Sequence, residues 1–152
     1  MKTFAIRYAA AIAVAALVLP ARAQQDLRAQ LQRRADALGA DWTRHDARAL
    51  AAGYFTRDVT TLGEGGTDLV RGTAQLETTL QALFRETKTA RLAVHEAWPL
   101  GPDAAYAWVV WDCNVDQAPA SRFKVRSLYV FRREGGVWKI AADAYSMGGI
   151  PR

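Results

Sequence analysis

From Asp26 onward, apolar residues recur every three or four positions, at Leu27, Leu31, Ala35, Leu38 and Trp42, with Arg28, Gln32, Arg33 and Asp36 between them. That period is the buried stripe of an amphipathic helix. Gly39 near its end and Asp46, a helix-capping residue type, separate it from a second short helix carrying Leu50, Tyr54 and Phe55. Asp58 to Leu62 predicts a short strand, and the run Gly63-Glu64-Gly65-Gly66-Thr67-Asp68 after it is hairpin-type turn chemistry. Past Gly72, Thr73 is the expected cap of a third helix with Leu76, Leu80, Leu83 and Phe84 on one stripe.

Four strand-like stretches follow, Thr89 to Trp98, Ala104 to Val115, Arg122 to Arg132 and Val137 to Tyr145. The breaks between them, Pro99 to Asp103, Asp116 to Ala120 and Glu134 to Gly136, are short and rich in turn formers, which favours consecutive antiparallel strands. Helices followed by meandering strands predict an α+β domain with three helices on one face of a single sheet. Alternation assigns the faces. Ala107, Val109, Trp111, Cys113 and Val115, with Phe123, Val125, Ser127, Tyr129 and Phe131, should lie under the helices. On the other face Trp108, Val110, Leu128 and Val130 remain apolar, a patch suited to a homodimer interface.

The first 23 residues do not fit this domain. Lys2 and Arg7 precede an apolar run of 12 residues, Tyr8 to Leu19, closed by Pro20 and the small-residue pattern Ala21-Arg22-Ala23. This is the layout of a secretory signal peptide cleaved after Ala23, which predicts export to a periplasm or beyond. A membrane span takes about 20 apolar residues, so the run predicts no stable anchor after cleavage. The proposed mature chain, residues 24–152, is one domain. The formal net charge of +5 would point to nucleic acid or membrane, but Lys2, Arg7 and Arg22 lie in the leader. Without them 17 basic residues face 15 acidic ones, and no nucleic-acid partner is expected. The single cysteine, Cys113, cannot form an internal disulfide.

Several features together resemble the nuclear transport factor 2-like superfamily, in particular its SnoaL-like and ketosteroid-isomerase-like bacterial branches. They are the helix ending near Trp42, His45-Asp46 with a helix to Tyr54-Phe55, Asp58-Val59 entering a strand, and Val70-Arg71-Gly72 before a helix. The last strand, Val137-Trp138-Lys139-Ile140-Ala141-Ala142-Asp143 running to Ser146, completes the pattern. The resemblance implies a cone in which a strongly curved antiparallel sheet wraps the helices around a deep pocket, commonly in a dimer. It also implies isomerase or cyclase chemistry without a cofactor in some members, but one fold hosts many activities. Aligned on these motifs, Leu38 falls where the isomerases carry a donor tyrosine, Gly63 near their base and Ser127 near their protonated acid. None of the three can do that work.

Two functional readings follow. In the first, Trp111, Ser127 and Tyr129 line a pocket that binds a small apolar or amphipathic molecule. In the second, the protein is a cofactor-independent isomerase, cyclase or dehydratase with Glu64 as general base and Tyr129 or Ser127 as hydrogen-bond donor. The other polar residues have structural explanations. His45-Asp46 reads as a helix start, His95 as outward-facing and Cys113 as a small buried hydrophobe. Asp112 and Asp143 read as outward-facing partners of basic neighbours. Arg122, Lys124, Arg126, Arg132 and Arg133 read as a charged strand edge. The glycines after Leu62 lack the Lys-Ser or Lys-Thr of a phosphate loop, and two distant histidines with one cysteine predict no metal site.

Overall fold

The computed structural model describes residues 5–66, 68–115 and 121–151, with side chains from residue 22 onward. Thr67 and the turn expected at Asp116 to Ala120 lie outside the described residues.

Helix α1 (Ala5–Trp42) is one continuous helix. It therefore begins well before the Asp26 expected from periodicity, and the predicted stripe of Leu27, Leu31, Ala35, Leu38 and Trp42 is buried. Its polar positions also have work to do. Gln32 donates through Nε2 to Leu92 O at 2.9 Å and accepts through Oε1 from Val94 N at 2.8 Å, while Arg28 Nε donates to Val94 O at 3.1 Å. These bonds occupy the open backbone edge of strand β3 (Thr89–Pro99), an edge that would otherwise invite pairing with another chain. A Cβ at Gly39 would sit 2.8 Å from Ala90 O, so only glycine allows α1 to lie this close to β3.

Helix α2 (Ala47–Tyr54) starts where expected, with Ala49 N donating to Asp46 Oδ1 at 2.9 Å. Phe55, expected in that helix, is extended instead and opens strand β1 (Phe55–Gly63). The Tyr54 hydroxyl donates to Asp41 Oδ2 at 2.6 Å while the Arg34 guanidinium covers its ring, which fastens α2 to α1. A two-residue strand β2 (Val70–Arg71) precedes helix α3 (Gly72–Glu86). Thr73 is not the cap of α3. Arg71 holds that position without a side-chain bond of its own, and Gln75 Oε1 reaches back to accept from Arg71 N at 2.7 Å.

Strands β3, β4 (Ala104–Asn114), β5 (Arg122–Glu134) and β6 (Val137–Met147) form the predicted antiparallel meander. The sheet order is β2-β1-β6-β5-β4-β3. One pairing departs from the expected all-antiparallel sheet, since β1 runs parallel to β6. The reason is the route of the chain, which crosses through α3 to the far edge and then folds back strand by strand until β6 meets β1. The α+β architecture, three helices against one curved open sheet, is otherwise as expected.

Two bulges decide which side chains point inward. In β3, Val94 pairs with Val109 and Glu96 with Trp108, leaving His95 unpaired. An extra residue reverses the alternation. Leu92 and Val94 are buried, then Ala97 is buried and Trp98 is 43% exposed, the reverse of what unbroken alternation from Leu92 and Val94 would give. In β6, Phe131 pairs with Ile140 and Val130 with Ala142, leaving Ala141 as the extra residue. Trp138 and Ile140 are therefore in the core before the bulge, whereas Asp143 and Tyr145, with the largely exposed Met147, line the cavity after it.

Candidate functional site

Between α3 and the inner face of the sheet lies a cavity of about 290 Å3. Leu76, Leu80 and Leu83 of α3 form one wall, because three- and four-residue spacing puts them on one helical face. Trp42, at the end of α1, closes one side, held by its Nε1 donating to Thr87 O at 2.9 Å and by edge contacts with Phe84 and Trp111. The opposite wall comes from β4, β5 and β6.

Trp111, Ser127 and Tyr129 all belong to that wall. Trp111 Nε1 donates to the Tyr129 hydroxyl at 2.9 Å, which fixes both rings. Ser127 is 1% and Tyr129 2% exposed. Burial first, and then the nearby charge of Asp143, hold the Tyr129 phenol well above its usual range, so it stays protonated.

Asp143 was expected to face outward. The Ala141 bulge instead turns it into the cavity wall, where it is half-buried. Oδ1 is shielded from water and has no hydrogen-bond partner among the described residues, while Thr61 Oγ1 lies 3.5 Å from Oδ2. Burial raises its pKa to about 7, with the Ser127 and Thr61 hydroxyls pulling the other way. Strict alternation from Trp138 and Ile140 conceals this residue, and the only sequence signal for it is an acid in an otherwise apolar strand end, Ala141 to Tyr145.

Glu64 stands at the mouth of the same cavity on an exposed turn. Its Oε2 accepts from Met147 N at 2.6 Å and its own N donates to Tyr145 O at 3.0 Å. Glu64 thus clasps the end of β6 to the turn after β1, which commits one carboxylate oxygen. Next to it, a Cβ on Gly63 would run into the Tyr145 ring, so the glycine makes room for that ring in the wall. Burial and then Asp143 raise the Tyr145 pKa. Cys113 is a buried part of the wall, and burial, reinforced by Asp112, pushes its thiol up to about 12. A thiol in that state is a poor nucleophile.

The remaining residues singled out from sequence lie elsewhere. His45 is exposed, its Nε2 3.2 Å from Lys88 O and its ring against Phe84. His95 is exposed on the outer face. Leu38 is in the core. Several of the clustered cations are already engaged, Arg126 with Ser146 and Gly149 O, Arg132 with Asp58 and Glu134, and Arg133 over the Trp138 ring. Among the described residues no group of three or more His, Cys, Asp or Glu side chains is arranged to hold a metal ion.

This arrangement offers an apolar, aromatic-walled chamber with one poised carboxyl and several hydroxyls, a setting for binding a small molecule and exchanging a proton with it. Solved structures share the fold. A ketosteroid isomerase-like protein from Erwinia carotovora atroseptica is 21% identical with a TM-score of 0.64, the match covering 81% of this chain and 97% of that one. An NTF-2 like protein of unknown function from Shewanella oneidensis is 18% identical with a TM-score of 0.61, covering 77% and 96%. An uncharacterized protein with a cystatin-like fold from Caulobacter vibrioides is 19% identical with a TM-score of 0.62, covering 82% and 91%. Comparison with curated proteins finds no match. The family model described as a SnoaL-like domain matches residues 32–149, from the middle of α1 to just beyond β6, and the chain therefore belongs to the SnoaL-like domain family.

Proposed function

We propose that the protein binds a small, mostly apolar organic molecule in this cavity and exchanges a proton with it through Asp143. The observation that carries this reading is the Asp143 carboxyl itself, desolvated, titrating near neutrality and with Oδ1 uncommitted. A general acid or base works best when its pKa lies near the working pH. Asp143 takes the role first given to Glu64, whose carboxylate is exposed and holds Met147 N. Tyr129, Tyr145 and Ser127 supply neutral hydroxyls beside it, the kind of group that stabilises an enolate or alkoxide as charge develops. The corresponding reaction class is isomerisation, cyclisation or dehydration by proton transfer.

The reading includes export, with cleavage after Ala23. It is supported by the charged and apolar pattern of the leader, by the exposure of Arg22 and Ala23, and by a described core that begins at Leu27. It also includes a homodimer through the outer sheet face, where Trp108 is 37% exposed beside half-buried Val110, Leu128 and Val130.

The test is hydrogen exchange into small carbonyl compounds in deuterated buffer, followed by mass spectrometry, with wild type and Asp143→Asn. Wild type should exchange α-hydrogens faster than the variant while both keep the same fold by circular dichroism. Equal rates for the two proteins would leave the cavity a binding site without catalysis.

A further inference from the structure

We infer that the molecule taken by this cavity is an organic amine, cationic at neutral pH, whose ammonium group is paired with Asp143 and whose apolar body lies among the aromatic walls. This deepens the proposed function and rests on the same site.

The charges around the cavity all have one sign. Glu64 and Glu86 stand on its lining with Asp143, and no Lys, Arg or His side chain among the described residues lines it. An anionic ligand would meet three carboxyl groups and no counter-charge, and burial makes an unpaired charge expensive. A cation meets the reverse situation. Asp143 Oδ1 is a shielded acceptor that no donor among the described residues satisfies, and buried polar atoms in native proteins are nearly always paired. An ammonium group is all donor, so it supplies the missing bond in its charge-assisted, stronger form. The walls fit the same ligand class. Trp42, Trp111, Tyr129 and Tyr145 line the cavity, and the faces of such rings attract cations.

The groups that line the cavity with Asp143 are consistent from each neighbouring element. They are Thr61 from β1, Glu64 from the turn after it, Trp111 and Cys113 from β4, Ser127 and Tyr129 from β5, Tyr145 from β6 and Glu86 from α3. None of them brings a positive charge. An arriving ammonium would therefore place a cation beside a carboxyl that has none among the described residues, lowering its pKa from about 7 and releasing its proton.

The experiment compares three probes of one shape, 2-phenylethylamine, 2-phenylethanol and 3-phenylpropanoate, by calorimetry at pH 7 with Trp fluorescence as a second signal. The amine should bind about tenfold or more tighter than the alcohol, the propanoate weakest, as expected for a charge-assisted pair. Asp143→Asn should abolish the difference between amine and alcohol. A measurement needing no variant is the dependence of the binding heat on buffer ionisation enthalpy, which should show proton release for the amine and none for the alcohol. An amine that binds no tighter than the alcohol, or a propanoate that binds tightest, overturns the charge inference and leaves proton transfer by Asp143 standing. Failure of all three to bind, together with equal deuterium exchange in wild type and variant, removes both.

Discussion

Asp143 and Tyr129 are register partners on adjacent strands, and both side chains face the same cavity. The site is unfavourable for charge, because burial raises both groups and the negative charge of Asp143 raises Tyr129 further. A carboxyl held in such a place is costly to the fold, which gives its role a thermodynamic signature.

The carboxyl of Asp143 titrates near pH 7 in the folded protein and near 3.8 when unfolded. Between those values the folded state binds more protons, so stability falls as pH rises through the window. Asp143→Asn should therefore match wild type near pH 4 and exceed it at pH 8 by about 1 to 3 kcal/mol, one pKa unit being about 1.4 kcal/mol and the group being partly accessible. Urea unfolding at the two pH values measures this, and an equal offset at both would refute the linkage.

Tyr129→Phe leaves Trp111 Nε1 without its acceptor. The expected loss is about 1 to 3 kcal/mol in denaturant unfolding, the usual cost of an orphaned buried donor. Combined with Trp111→Phe, the two losses should be less than additive, since both remove the same bond.

Cys113 should react slowly with a disulfide reagent at pH 8 in the folded protein and at an ordinary rate in denaturant, because its thiol is buried and pushed up to about 12. Rapid labelling of the native protein would contradict the description of this wall.

Gly63→Ala places a methyl group where the Tyr145 ring lies. We expect a loss of about 1 to 3 kcal/mol from overpacking and weaker ligand binding. Pairing it with Tyr145→Leu should recover part of the stability, which thermal melts of the single and double variants would reveal.

Trp108→Glu puts a charge in the centre of the exposed outer patch. Sedimentation should show a dimer for wild type at micromolar concentration and a monomer for the variant. A wild-type monomer would exclude the dimer.

Much of the fold was legible because helical and alternating periods are local. Leu27 to Trp42 marked α1, Asp46 capped α2, and the alternation of Val109 and Cys113 with Ser127 and Tyr129 identified the inner face correctly. Strand β2 escaped notice because two residues carry no period. Gln32 and Arg28 looked like a solvated helix face, but they close the edge of β3, and only the packing of helix on strand reveals that.

The amino-acid sequence by itself determined the element types, the apolar inner face and the presence of Trp111, Ser127 and Tyr129 on it. Tertiary structure decided where alternation breaks. A bulge is a mismatch between two strands, so a single strand read alone contains no trace of it. The unpaired Ala141 reverses the faces of β6 and carries Asp143 from the expected outer surface to the cavity wall. Once there, desolvation by the surrounding helix and sheet raises its pKa to about 7 and makes an ordinary aspartate the central group of the site.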